Sequence, residues 1–274
     1  MESKISIETN DNFQNFLLLL LSEFESKKIQ EDLNKVKKID EKHYSKKLEI
    51  ESLRKIAKDF KNEKREKENG LEKILILTHG NPDVVFCLCI ESYRLDVDME
   101  IVIEDFCLAQ NMLIAEVFNN IFEIMKFKRR IKVLNNMPDK DIIHESIKFD
   151  KTIVVGNSNL YNRLENEMKI SFYPYGIFEI YTDETSEEFD ELKEKIYEVL
   201  DENEFEVEEY DDVDKEKVID NLNKTSYKFC NLILTKDKEF EKNAKESLMA
   251  EYVLVNKNPF KENIRLINKE IFSM

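Results

Sequence analysis

Short apolar runs alternate with longer amphipathic segments from Gly70 onwards. Five runs have the length and composition of buried strands: KILILT (73–78), MEIVIE (99–104), RIKVLN (130–135), KTIVVG (151–156) and KISFY (169–173). Helical segments separate them, near 83–94, 108–127, 139–147 and 158–166. Strands that are apolar on both faces and joined by helices form a parallel sheet. The order therefore predicts an α/β fold with a doubly wound, Rossmann-like sheet.

A second, smaller set of alternating elements follows. Its predicted strands are GIFEIYTD (176–183), EFEVEEY (204–210), FCNLILT (229–235) and EYVLVN (251–256). Its predicted helices cover 186–201, 212–224, 236–248 and the tail from 257. With a boundary near Pro174 to Gly176, the sequence predicts an N-terminal helical segment (1–69), a nucleotide-binding-type domain (70–174) and a smaller α/β domain (175–274).

The N-terminal segment is predicted to be helical. Residues 31–69 are rich in lysine and glutamate, with apolar residues at helical spacing, which indicates two long surface helices ending at Gly70. Before them, NFQNFLLLLLSEFESKKI (12–29) forms a helix that is apolar on nearly all sides in its middle. Such a helix is either buried in its own core or covered by a second copy or another protein, and self-association is the first expectation. The run is too short to span a bilayer, which needs about 20 apolar residues.

The formal net charge of −16 disfavours broad nucleic-acid binding, because phosphate backbones would be repelled. Two basic stretches, KNEKREKEN (61–69) and KFKRR (126–130), are either solvated faces or local basic patches. The 4 Cys show no Cys-x-x-Cys spacing and the 3 His do not cluster with them, so neither a metal site nor a disulfide framework is expected. No signal peptide is visible, and a reducing cytoplasm is the expected compartment.

Two turns fall at the carboxyl ends of predicted strands, where parallel sheets bind ligands. A helix start there exposes backbone N–H groups to an anion. The predicted nucleotide-binding residues are His79, Gly80, Asn81, Gly156, Asn157 and Ser158. The structural alternative, a plain turn in which Asn81 caps a helix that begins with Pro82, stays open.

Acidic residues close to these turns should make nucleotide binding weak. Asp83 follows the first turn directly. Glu104 and Asp105 follow the second predicted strand, where they would either contact ribose hydroxyls or form a solvated strand exit.

Residues 210–260 resemble the late catalytic-domain segment of aldehyde dehydrogenases. Thr235 and Asp237 match a strand ending in Thr-x-Asp, and 253–256 match a strand ending in Val-x-Val-Asn. Upstream, the chain is similar to γ-glutamyl phosphate reductases and fatty acyl-CoA reductases, through Gly156, Gly176, Tyr181 and Asp183. The resemblance covers roughly residues 70–260. It implies reduction of an acyl phosphate or acyl thioester, in which a cysteine thiolate attacks the carbonyl and NAD(P) carries the hydride.

The chain departs from that family in its thiols and its length. It is shorter, and residues 184–209, the interval where the resemblance places the nucleophile, contain no Cys. Cys87 and Cys89 remain as candidate nucleophiles near a helix start, or as core residues; Cys107 and Cys230 are predicted to be structural. We therefore expect a non-catalytic aldehyde-dehydrogenase-like protein that acts through binding or protein interaction. The alternatives are an NAD(P)-dependent reductase with a displaced thiol and a nucleotide-binding regulatory module.

Overall fold

The computed structural model describes residues 2–40, 50–60, 70–104, 107–156, 158–175, 177–183, 186–202, 206–211, 215–224, 229–248, 250 and 252–259. These residues form two compact units, the first up to Ser171 and the second from Phe172. The predicted tail helix and the basic stretch KNEKREKEN lie outside the described residues, apart from 257–259 of the tail.

The first unit is built around a five-stranded sheet with the strand order β3-β2-β1-β4-β5. Its strands are β1 (Lys73–Thr78), β2 (Asp98–Ile103), β3 (Ile131–Asn135) and β4 (Lys151–Val155), together with β5 (Ser171–Tyr173), whose last two residues are counted in the second unit. Its helices are α1 (Glu2–Glu25), α2 (Lys27–Asp40), α3 (Ile50–Phe60), α4 (Pro82–Leu95), α5 (Leu108–Ile124), α6 (Asp139–Ser146) and α7 (Ser158–Leu164). Strand β1 pairs in parallel with both β2 and β4, so the order reverses beside β1. This strand order and the parallel pairing confirm the predicted doubly wound sheet, a topology that places helices on both faces.

Helix α1 packs one face against the first unit through aromatic side chains. The ring of Phe16 stacks on Tyr93 of α4 with a centroid distance of 4.0 Å, and Phe24 meets Phe86 edge-on at 5.4 Å. Leu18, on the opposite face, keeps 66% of its surface exposed. Of the two environments that the sequence allowed for this helix, its own core covers the aromatic face.

Helix α4 is buried at every position from Pro82 to Leu95. It carries a charged pair inside the protein: Arg94 Nε donates to Glu91 Oε2 at 2.5 Å, and both side chains are at most 3% exposed. A buried guanidinium needs such a carboxylate, because an unpaired charge in this environment would be strongly destabilising. The pair explains how Glu91 and Arg94 can both lie in the core.

The second unit has a four-stranded parallel sheet with the order β7-β6-β8-β9. Its elements are β6 (Ile177–Thr182), α8 (Glu187–Glu202), β7 (Glu206–Asp211), α9 (Lys215–Lys224), β8 (Cys230–Leu234), α10 (Lys238–Ser247) and β9 (Tyr252–Val255). Tyr181, Val218, Ile233 and Phe240 belong to the core between this sheet and its helices. The smaller α/β half predicted from the sequence is present. Within the described part of the chain, no helix is long and apolar enough to cross a membrane.

Candidate functional site

The turn between β1 and α4 is fixed by hydrogen bonds on both sides. Asn81 caps α4: its Oδ1 accepts from the Asp83 N–H at 3.0 Å, and Pro82 follows as the first helical residue. Gly80 has a φ of 99°, in the left-handed region that favours glycine. The side chain of Asn111, on α5, donates to the Gly80 carbonyl at 2.5 Å. The structural role predicted for Asn81 is therefore present, and the turn is rigid.

The same turn carries opposing signals for an anionic ligand. The Asn81 Nδ2 amide is buried and has no hydrogen-bond partner among the described residues, so a donor is available. The Asp83 carboxylate lies in the first turn of α4, where it interacts favourably with the positive end of the helix dipole. A phosphate would have to share that end with a carboxylate. His79 is exposed beside the turn.

The turn after β4 lies next to the first one. Thr78 at the end of β1 is opposite Val155 at the end of β4, so both turns are at the carboxyl edge of the sheet. Gly156 has a φ of 67°, and Ser158 is the first residue of α7. Asn157 lies outside the described residues. The structure brings His79, Gly80, Asn81 and Gly156 to one edge, as the strand order requires.

Glu104 is ion-paired at this edge. Its Oε1 accepts a hydrogen bond from Arg163 Nη2 at 3.0 Å, and the same guanidinium donates to Asp139 at 3.0 Å. Both carboxylates raise the pKa of Arg163, and the hydrogen bond to Asp139 has the larger effect. The guanidinium is therefore permanently charged. The sequence pointed to acidic residues alone here, and the cation was missed because Arg163 is 59 residues from Glu104 in the chain. Asp105 lies outside the described residues.

A second helix start at this edge is occupied by a carboxylate of the chain itself. Asp40, the last residue of α2, accepts hydrogen bonds from the N–H groups of Ala109 and Gln110 at 3.1 and 3.0 Å. Its side chain is buried, and Cys107 before the helix adopts a φ of 49°. The start of α5, which could otherwise attract a phosphate, is therefore filled. Nothing local in the sequence indicates this contact.

All four cysteines are buried. Cys87 and Cys89 are 2% and 0% exposed in α4, and Cys107 and Cys230 are 1% and 0% exposed. Burial raises the pKa of the Cys89 thiol far above its ordinary value and that of Cys230 to about 12. These two thiols stay protonated near neutral pH, and a thiol is a poor nucleophile compared with a thiolate. The described environments of Cys87 and Cys89 are those of core residues.

Residues that carry the aldehyde dehydrogenase resemblance meet at the carboxyl edge of the second sheet. The Thr235 hydroxyl donates to the Asp183 carboxylate and accepts from the Asp237 N–H at 3.0 Å. The Asn256 side chain accepts from the Thr235 N–H at 2.9 Å and donates to the Thr235 carbonyl at 2.7 Å. Asp237 caps α10. This set fixes the ends of β6, β8 and β9 relative to one another.

The described residues contain no group of three or more His, Cys, Asp or Glu side chains placed to hold a metal ion. The candidate site is the carboxyl edge of the first sheet, with its rigid turn, a buried amide donor and a mixture of acidic and basic groups.

No protein-family model matches the sequence, and no curated protein matches it. Solved structures do match in fold. γ-Glutamyl phosphate reductase from Thermotoga maritima is 13% identical, with a TM-score of 0.55 over 98% of this chain and 86% of that protein. Glyceraldehyde-3-phosphate dehydrogenase from Methanocaldococcus jannaschii, in complex with NADP, is 12% identical, with a TM-score of 0.56 over 96% and 87%.

Succinate-semialdehyde dehydrogenase from Burkholderia pseudomallei is 7% identical, with a TM-score of 0.60 over 96% of this chain and 81% of that protein. These matches confirm at the level of fold the resemblance found in the sequence: the chain has the aldehyde dehydrogenase fold. At such low identities the likeness is one of architecture.

Proposed function

We propose that this chain is a non-catalytic member of the aldehyde dehydrogenase fold, which acts by binding a ligand or a protein. The observation that carries the proposal is the burial of all four thiols, each at most 2% exposed. Thiol-dependent reduction needs a thiolate that faces both the carbonyl and the nicotinamide, beside oxyanion donors. Neither α4 nor β8 offers an accessible thiol.

Alkylation kinetics test the proposal at the thiols. Iodoacetamide should label all four cysteines slowly at neutral pH and quickly after unfolding in urea. Labelling should be unaffected by NADP. Rapid labelling of Cys87 or Cys89 in the folded protein, blocked by NADP, would overturn the proposal.

The second candidate is an NAD(P)-dependent reductase of an acyl phosphate or acyl thioester. It is favoured by the likeness to γ-glutamyl phosphate reductase and to dehydrogenases of this fold. Its test is the absorbance of NADPH in the presence of acyl phosphates and acyl-CoA thioesters. Consumption that is lost in Cys87→Ala or Cys89→Ala, with the fold retained by circular dichroism, would establish this candidate instead.

A nucleotide is the ligand class that we propose for the carboxyl edge of the first sheet. The start of α4 and the buried amide of Asn81 support binding, whereas Asp83 weakens it. Calorimetry with NAD, NADP and ATP should give weak binding that Asn81→Ala combined with Gly156→Val abolishes. Tight binding that survives the double change would place the ligand elsewhere. Thermal melts of the variant serve as the control for folding.

Self-association through α1 belongs to the same proposal. Leu18 and Leu19 are adjacent on this helix and are 66% and 43% exposed. Lysine at both positions should shift the mass in light scattering from an oligomer to a monomer without loss of helicity. A monomer before and after the change would remove self-association from the proposal.

A further inference from the structure

A large concave cavity lies at the edge of the first sheet opposite the candidate nucleotide site. Its volume is about 750 Å³, and its walls include the first residues of β1, β2 and β3, the end of α5 and the segment after α6. Pockets of about 300–1,000 Å³ are typical of small-molecule sites. The cavity lies within the first unit, and the predicted nucleotide-binding residues are absent from its lining.

The walls of this cavity are basic, in contrast to the whole chain. Six cationic and four acidic side chains line it, whereas the chain carries a net charge of −16. Five of the seven residues from Lys126 to Lys132 are cationic, and no acid interrupts them. We refer to residues 126–132 as the basic connection; it follows α5 and includes the first two residues of β3.

Several of the acids in the wall are already paired. Glu100 lies 3.2 Å from the ammonium of Lys132, and Glu145 lies 2.6 Å from that of Lys148. In contrast, no described residue forms an ion pair or a hydrogen bond with the side chains of Lys128 or Arg130. The positive charge that is left over therefore faces solvent at the cavity.

The basic connection is held rigidly. The ring of Phe127 packs against Tyr93 and Phe122, with centroid distances of 4.7 and 4.8 Å. The Arg130 N–H donates to the Asp98 carboxylate at 2.9 Å. Asn119 holds the next residue by two hydrogen bonds, of 3.0 and 2.8 Å, to the backbone of Ile131. Because the backbone is fixed at both ends, the cations project from a preorganised frame, which lowers the entropic cost of binding an anion.

We propose that this cavity binds a small molecule that carries two or more phosphate groups. Arginine and lysine side chains are the groups that proteins use for phosphate, through forked and point-charge hydrogen bonds respectively. A long polyanion would meet the negative field of the rest of the chain, whereas a compact one is confined to the basic cavity. The ligand site is separate from the carboxyl edge, so it is a second, independent site.

The test uses the full chain and inorganic tripolyphosphate as the probe. Calorimetry should detect binding to the native protein. Lys128→Gln combined with Arg130→Gln should weaken it at least about tenfold, since hydrogen bonds to charged groups are among the strong ones. The matched control is Lys55→Gln combined with Lys58→Gln, which removes the same charge from exposed positions of α3. Affinity in the control should change less than about twofold, because exposed charges at a distance are screened by salt.

Lysine acetylation locates the ligand on the surface. Tripolyphosphate should protect Lys128 and Lys73, which line the cavity, and leave Lys55 unprotected. Failure of the native protein to bind, equal weakening by both double variants, or protection confined to other lysines would overturn the proposal. So would a long single-stranded DNA that binds more tightly than tripolyphosphate at equal phosphate concentration.

Discussion

Phe16→Ala tests whether α1 is an integral part of the first unit. Phe16 is fully buried, and its ring stacks on Tyr93 at 4.0 Å and lies 6.0 Å from Phe118 and 6.1 Å from Phe122. Two residues further along the helix, Leu18 is 66% exposed. The two positions share one helix and differ in burial, so Leu18→Ala is a matched control.

The expected loss of stability can be worked out from this burial. Replacing a buried phenylalanine by alanine typically lowers the free energy of unfolding by about 3–5 kcal/mol, through lost apolar burial and the cavity left behind. The higher helix propensity of alanine returns roughly 0.5 kcal/mol. We therefore expect a net loss of about 2.5–4.5 kcal/mol for Phe16→Ala. For Leu18→Ala we expect a change within about 0.5 kcal/mol, as for other surface substitutions.

Urea unfolding followed by far-ultraviolet circular dichroism is the suitable assay, since the chain contains no Trp for fluorescence. With an m-value of about 2 kcal/mol/M, the midpoint for Phe16→Ala should fall by roughly 1.2–2.2 M urea. A Phe16→Ala variant that unfolds at the native midpoint would refute the packing of α1 on α4 and α5. Equal losses at both positions would show that the exposed face of α1 is covered by a partner.

Three further predictions concern buried or partly buried polar groups. Asp40→Ala should lower the free energy of unfolding by about 1–2 kcal/mol in the same assay, because it removes a cap from α5. Arg94→Met should cost about 3–5 kcal/mol by leaving Glu91 buried without its cation, and Glu91→Met in the same chain should restore most of the loss. Two effects raise the pKa of Tyr210 to about 12: partial burial is the larger, and the hydrogen bond to the Glu208 carboxylate is the second. The neutral phenol of Tyr210 is thus favoured in the folded state. Its contribution to the free energy of unfolding is complete below the ordinary tyrosine pKa of about 10, and it is lost as the pH rises through about 12. Tyr210→Phe should remove this alkaline component, as measured by urea midpoints across that range.

Local sequence patterns were sufficient for the elements of the fold. The predicted strand 73–78 coincides with β1, because an apolar run lies between Gly70 and the Gly80–Pro82 turn. Asn81 and Pro82 likewise defined the start of α4. Other boundaries moved slightly: the strand predicted at 169–173 is β5 at Ser171–Tyr173. Each of these predictions depended on residues that are neighbours in the chain.

The electrostatics of the candidate site depended on residues that are distant in the chain. Asp40 reaches the start of α5 across 69 residues, and Arg163 reaches Glu104 across 59. A sequence pattern predicts neither contact, because each forms only when the sheet brings separate helices to the same edge. For the same reason, the apolar sequence of α1 left open which surface would cover it. Periodicity indicates that a face must be buried, but it does not identify what buries it.

The placement of charged side chains makes the two edges of the first sheet different from those of an ordinary nucleotide-binding sheet. At the carboxyl edge, helix starts normally attract phosphate, but here Asp83 and Asp40 place carboxylates at the starts of α4 and α5. At the opposite edge, the basic connection gathers cations around a cavity. The strongest attraction for a phosphorylated ligand is therefore expected where the fold does not usually bind one. The two proposed sites are independent, so saturating tripolyphosphate should leave the weak affinity for NADP unchanged. Competition between the two ligands would show that they share a single site.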